Sequence, residues 1–280
     1  MVDRGIGDPR RSTPHQNSLD GEFTDNLARW AQEDPAPRPQ HALPSSTVRL
    51  ISDSFHNSPQ QRNHVVADLV TVAYFFLLRV GEYTHTTARK GQTKRTVPLR
   101  KQDITFWKDK HVLPHCSTLA ELLQADGVTI NLANQKNGKR NTQLFHSHSN
   151  DINFTPTRSL ARLVHLIHDQ PDDKPLGSYR DGNGWKRASA RHILEAVRLG
   201  AVQDNLAQCG FDLKRIGTHS LRSGGATRLK IEGHADSTIM LLGRWSGNTY
   251  LKYIQTQITQ LSAGIAATMA PSLKFDRVGH

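Results

Sequence analysis

The run PQQRNHVVADLVTVAYFFLLRVGEYTHT, which begins at Pro59, limits the fold more than any other stretch of these 280 residues. It is polar at its start and almost wholly apolar by Val70–Leu78, and its length predicts a helix. A helix that is apolar on every face cannot lie on a surface, so other elements have to surround it. The rest of the sequence offers them. KQDITFW (101–107) and GVTINLANQ (127–135) read as strands, the second alternating at Val128, Ile130 and Leu132. KNGK (136–139) reads as a turn and NTQLFHSH (141–148) as the returning strand of a hairpin. TPTRSLARLVHLIHDQ (155–170) predicts an amphipathic helix with Leu160, Leu163, Val164 and Ile167 on one face. DDKPLGSYRDGNGWKR (172–187) reads as a loop, 188–207 as a helix or helix pair, and 218–232, 237–246 and 248–255 as further helices. The expected class is α+β, predominantly α, with one small antiparallel sheet.

The flanks differ from this body. Residues 1 to about 22 carry little to bury and read as disordered. EFTDNLARWAQED (22–34) predicts one short helix, followed by the proline-punctuated linker PAPRPQHALPSS. The expected organisation is a linker region at 1–44, a main domain at 45–257 and a C-terminal helix and tail at 258–280. Composition narrows the class further. Lys and Arg total 36 against 25 Asp and Glu, a net charge of +11, and a partner rich in negative charge is expected. Two cysteines, Cys116 and Cys209, are too few and too far apart for a disulfide framework or a zinc site. No apolar run approaches a membrane span, and the first residues lack the apolar stretch of a secretory signal. An intracellular protein with no membrane partner is expected, in the nucleus of a eukaryote or otherwise in cytoplasm or nucleoid.

Four patches carry candidate chemistry. In GTHSLRSGGATRLKIEG (217–233), His219 and Arg222 leave one helical face a turn apart and can donate to one anion. Gly224 and Gly225 would let another backbone, or a phosphate, approach the next turn. Taken alone, a motif this short also fits an ordinary capped helix. Arg79 follows the apolar run and needs an anion, which Glu82 at i+3 can supply. The pair is either a structural ion pair or a device in which Glu82 orients Arg79 toward a ligand phosphate. Lys136 sits in the hairpin turn NQKNGKRN, a place from which a lysine can reach a nucleic-acid groove. LLGRWSGNTYLKYIQ (241–255) adds Arg244, Trp245, Tyr250 and Tyr253. Fixed cations stabilise a phosphoryl transition state without a metal, and a deprotonated phenol can attack phosphorus. FHSHSND places two histidines on one strand face with no third ligand, so no metal is expected.

In order and spacing, these motifs resemble the tyrosine recombinase, or phage integrase, family over roughly residues 60–256. FLLRVGEYT resembles its first arginine motif, with Arg79 and the acidic Glu82. NQKNGKRN resembles the hairpin lysine segment, with Lys136 in the catalytic position and Lys139 as its understudy. HSLRSGGAT matches the H-x-L-R box at His219 and Arg222, and LLGRWSGNTYLKYI matches the segment that leads to the nucleophile, Tyr253. The resemblance implies that family's catalytic fold and cleavage of double-stranded DNA through a 3′-phosphotyrosyl link, with no cofactor or metal. Arg79 and Arg222 would hold phosphate oxygens, His219 would handle the nucleophile's proton, Lys136 would protonate the leaving 5′-oxygen, and Arg244 would add a hydrogen bond. Lys139, Arg140 and Arg228 are the further DNA-binding positions it implies.

Two departures stand out. The family's His or Trp after L-G is Arg244 here, and arginine cannot serve as an acid or base near neutral pH. This GRW variant resembles recombinases of eukaryotic DIRS-type and Crypton mobile elements. The second departure is that 1–44 is too short for the family's N-terminal DNA-clamp domain, so a truncated clamp is expected. Ile258, Leu261, Ile265 and Met269 form a helical stripe suited to docking on a neighbouring protomer, in a tetramer on DNA. The competing readings are a decayed DNA-binding relic of a mobile element and a DNA-relaxing enzyme similar to type IB topoisomerases.

Overall fold

Helix α1 spans Ser45–His56 and α2 spans Gln61–Phe75. In this computed structural model, residues 40–85, 96–134, 140–149, 151, 154–182, 184–247 and 251 are described. All of them belong to the unit Pro39–His280, one of two into which the chain divides. The helix expected at 22–34, Lys136, Lys139, Tyr250, Tyr253 and the stripe from Ile258 to Met269 lie outside the described residues.

Every residue of α2 from Val65 to Tyr74 is buried, as its all-round apolar sequence requires. Its one buried charge, Asp68, is met from two sides. Arg162 of helix α5 (Pro156–Leu166) donates to both carboxylate oxygens through Nε, at 3.0 and 3.1 Å, and His56 of α1 lies 3.2 Å away. A buried carboxylate without partners would cost several kcal/mol by the general scale for such groups, so the pairing fixes how α1 and α5 sit on α2. Helix α6 (Ala190–Gln203), capped by the Ser189 hydroxyl, contributes Ile193, Ala196 and Val197 to the same core. Packing begins ahead of Ser45: Ala42 and Leu43 are 1% exposed, and Leu43 N donates to Ser220 O at 2.9 Å.

The apolar run does not stay helical to its end. Helix α2 stops at Phe75, Leu77 takes the left-handed conformation (φ 48°), and the short helix α3 (Val80–Tyr83) follows. The sheet has strand order β2-β1-β3-β4, all antiparallel, with β1 Ile104–Lys108, β2 His111–Leu113, β3 Gly127–Asn134 and β4 Arg140–Ser147. The strand expected from 101 opens instead with a 3-10 turn, Lys101–Asp103, because the Asp103 carboxylate accepts from the Arg100 backbone N–H at 2.9 Å. One turn of helix, α4 (Leu119–Leu122), joins β2 to β3. The region 172–187, expected as a loop, contains a two-stranded hairpin of β5 (Ser178–Asp181) and β6 (Gly184–Arg187), with Gly182 at φ 59° in its turn. Helices α7 (His219–Ile231) and α8 (Asp236–Gly243) complete the described order.

Candidate active site

The Phe76–Arg79 segment is the place where the candidate residues meet. Once α2 ends, the carbonyls of Phe76 and Leu77 point away from the helical ladder and need donors. Arg222 Nη1 donates to Leu77 O at 2.6 Å, and Arg244 donates to Phe76 O through Nη1 and to Leu77 O through Nη2, each at 3.2 Å. Two arginines from separate elements therefore converge on one turn of main chain, two residues ahead of Arg79.

The Glu82 carboxylate folds back onto Arg79 at the start of α3. Arg79 N donates to Glu82 Oε2 at 2.8 Å and Arg79 Nη1 to Glu82 Oε1 at 3.1 Å. Glu82 is 1% exposed, and Arg244 Nη2 reaches its Oε2 at 2.7 Å. One buried carboxylate thus bridges two guanidinium groups and fixes the orientation of Arg79, whose side chain stays 26% exposed.

Helix α7 supplies the other two groups. Gln40 Oε1 accepts from the His219 backbone N–H at 3.2 Å, one of the donors a helix start leaves open. Burial, with the Arg222 and then the Arg79 charge adding to it, pushes the His219 imidazole down to about 4. At neutral pH this ring is uncharged and can accept a proton. Arg222 is 1% exposed; besides Leu77 O it donates to Gly243 O, and its guanidinium lies 4.3 Å from the Trp245 ring centroid. The paired glycines are there for packing. A Cβ at Gly224 would lie 2.1 Å from Leu43 O, and one at Gly225 would lie 2.4 Å from Tyr74 O. The absent side chains let α7 lie against the entry to α1 and the end of α2.

Arg244, like Arg222, is buried with its donors on main-chain carbonyls. It caps α8 in the left-handed conformation (φ 59°), which turns its side chain back under Phe76 and Leu77. It is 5% exposed; its Nη donors serve Phe76 O, Leu77 O, Leu242 O and Glu82, and its Nε has no hydrogen-bond partner among the described residues. Burial lowers its pKa, while Glu82 acts in the opposite direction. Of the other expected DNA-binding positions, Arg140 and Arg228 are among the described residues. Arg140 opens β4 and is exposed; Arg228 is exposed on α7 and ion-paired with Glu232. Among the described residues no group of three or more His, Cys, Asp and Glu could hold a metal, and no helix is long and apolar enough to cross a membrane. His146 and His148 of the FHSHSND run have their ring nitrogens on the carbonyls of Phe75 and Asp126. Sequence reasoning missed Gln40, Trp245 as the cover over Arg222, and His146. The signal for His146 was a polar residue at an inward position of an alternating strand.

Neither a protein-family model nor a curated protein matches the sequence. Solved structures do match. The XerH site-specific recombinase, in a post-cleavage complex with palindromic difH substrate, is 15% identical with a TM-score of 0.51. That match covers 83% of this chain and 54% of the XerH chain, so the chain spans little more than half of its length. The XerA recombinase is 17% identical with a TM-score of 0.50, over 86% of this chain and 68% of the other. The α+β architecture of the described residues is the tyrosine recombinase catalytic fold.

Proposed function

We propose that the protein cuts and rejoins double-stranded DNA through a covalent 3′-phosphotyrosyl intermediate. One observation carries this reading: the His219–Arg222 pair of α7 meets the distant Arg79 turn, where Arg222 Nη1 donates to Leu77 O at 2.6 Å and both arginine charges reach the His219 imidazole. Two fixed cations beside a neutral imidazole suit a phosphoryl group that gains charge as a phenol adds to it. In the proposed reaction the Tyr253 oxygen attacks the scissile phosphorus, and His219 takes the phenolic proton. The bond to the 5′-oxygen breaks as Lys136 supplies a proton to it. Attack by a 5′-hydroxyl on the phosphotyrosine reverses each transfer, so bond energy is conserved. Arg244 acts through Glu82 as a positioning residue for Arg79. The partner is duplex DNA, engaged by a homo-oligomer; the kinship with mobile-element recombinases belongs to the same proposal.

A specific observation favours a second reading, a DNA-binding relic without turnover. Arg222 is 1% exposed with named donors on two carbonyls, so a phosphate has to displace part of its present surroundings. A pool of nicked duplexes of randomised sequence separates the two. The active enzyme traps a protein–DNA adduct that survives denaturation, and the Tyr253→Phe and Arg79→Ala variants do not. Binding by the wild type with no adduct would establish the relic.

A further inference from the structure

A cavity of about 440 Å³ lies where α1, α2 and α7 meet, and Pro44, Ser45, Tyr74, Thr227, Arg228 and Ile231 are among the residues that line it. Two of them bring buried polar atoms to it. Tyr74 is 5% exposed and Thr227 3%, yet neither Tyr74 OH nor Thr227 Oγ1 has a hydrogen-bond partner among the described residues. A hydroxyl inside a helix ordinarily bonds back to the carbonyl four residues earlier. Thr71 does so to Ala67 O at 3.1 Å, and Ser223, one turn before Thr227, does so to His219 O at 3.0 Å. Thr227 Oγ1 makes no such bond. Burial pushes the Tyr74 phenol up to about 12, while the nearby Ser45 side chain and the Arg228 charge act the other way. The phenol therefore stays protonated at neutral pH and is a donor. A buried hydroxyl without a partner is unfavourable, so two on one cavity call for a ligand that offers oxygen acceptors.

Helix α1 begins at the same place. Its N-cap is Pro44, with no side-chain cap bond, and the open amides of a helix start favour an anion. Arg228 adds a guanidinium, 56% exposed and paired on the surface with Glu232. One carboxylate opposes this: Asp204, which caps α6, accepts from the Ser46 and Thr47 hydroxyls. The helix end alone is therefore not enough, and the buried hydroxyls and Arg228 have to contribute. Donors reach the cavity from three helices in different directions, which suits a tetrahedral oxyanion better than a planar carboxylate. We infer that this cavity is a second phosphate-binding site, separate in its lining residues from the Arg79 turn, and that it takes a phosphate ester through Tyr74, Thr227, Arg228 and the start of α1.

The test uses the full chain as wild type, Thr227→Val and Tyr74→Phe, two changes that keep shape and remove one hydroxyl each. Binding of inorganic phosphate and of a nucleoside monophosphate is followed by calorimetry, and binding of a short DNA duplex by fluorescence anisotropy. Each variant should weaken binding on the order of 10-fold. A loss on the duplex identifies the DNA backbone as the source of the phosphate. A loss on inorganic phosphate and the monophosphate, with the duplex unaffected, identifies a free phosphate ester. Unchanged affinity for every probe, as a cavity that holds only water would give, overturns the inference. Melting without ligand gives an independent readout. Both variants should melt at or above the wild-type Tm, because each discards a hydroxyl that the fold leaves unpaired. A fall in Tm would show that the hydroxyl is bonded within the protein, and it also overturns the inference. Binding and melting involve no cleavage step, so the outcome is independent of the reaction proposed for Tyr253.

Discussion

His219 is the residue whose environment makes the sharpest demand on chemistry. Its ring is held near a pKa of about 4 by burial and by the Arg222 and Arg79 charges, against 6.5 when free. Because the folded value is the lower one, the unfolded chain binds more protons between these limits. The stability tied to this ring is complete above about pH 6.5 and declines as pH falls toward 4. The decline amounts to at most about 3 kcal/mol. Urea unfolding of the wild type and His219→Gln from pH 7 to 4 should show the wild type losing more; parallel curves would contradict this. The same scale shows what the sequence could and could not disclose. The i, i+3 spacing of Arg79 and Glu82 made their pairing legible. The inward turn of Arg244 was not, because it depends on a left-handed cap and on carbonyls exposed by a distant helix end.

At the scale of elements, the buried helix was legible from its apolar run, but its end was not. No Gly or Pro marks residues 76–78; the break is held by tertiary bonds from Arg222 and Arg244 to Leu77 O. The β5–β6 hairpin was hidden for another reason: four-residue strands rich in turn formers carry too little alternation to be read. The Gly224–Gly225 pair was visible in the sequence and its purpose came from packing. Gly224→Ala puts a Cβ against the main-chain oxygen of Leu43, which cannot swing away as a side chain would. A loss of about 2–4 kcal/mol is expected in chemical denaturation. Gly184→Ala, where an added Cβ meets nothing within 4 Å, should change stability by less than about 0.5 kcal/mol. Equal effects at the two positions would show that close approach of α7 is not what the glycine provides.

Across the whole molecule, the Lys+Arg excess favours a partner rich in negative charge. A net charge of +11 would supply long-range attraction to the DNA proposed as partner, and the Phe75–Arg79 turn gathers side chains from the sheet, α7 and α8 around a single short segment. Assembly belongs to this scale as well. Deleting every residue after Gln257 removes the apolar stripe of Ile258, Leu261, Ile265 and Met269. That truncation should abolish higher-order complexes on DNA in sedimentation while leaving DNA affinity within about 3-fold, since the charge-based grip is retained. Unchanged assembly would contradict it. The central claim is that a phenol oxygen attacks a phosphate held by Arg79 and Arg222, and it is tested most directly by digesting a trapped protein–DNA adduct and mapping the modified peptide by mass spectrometry. The account predicts a 3′-linked nucleotide on Tyr253. An adduct on any other residue, or wild-type protein that binds the nicked pool and yields none, would contradict it.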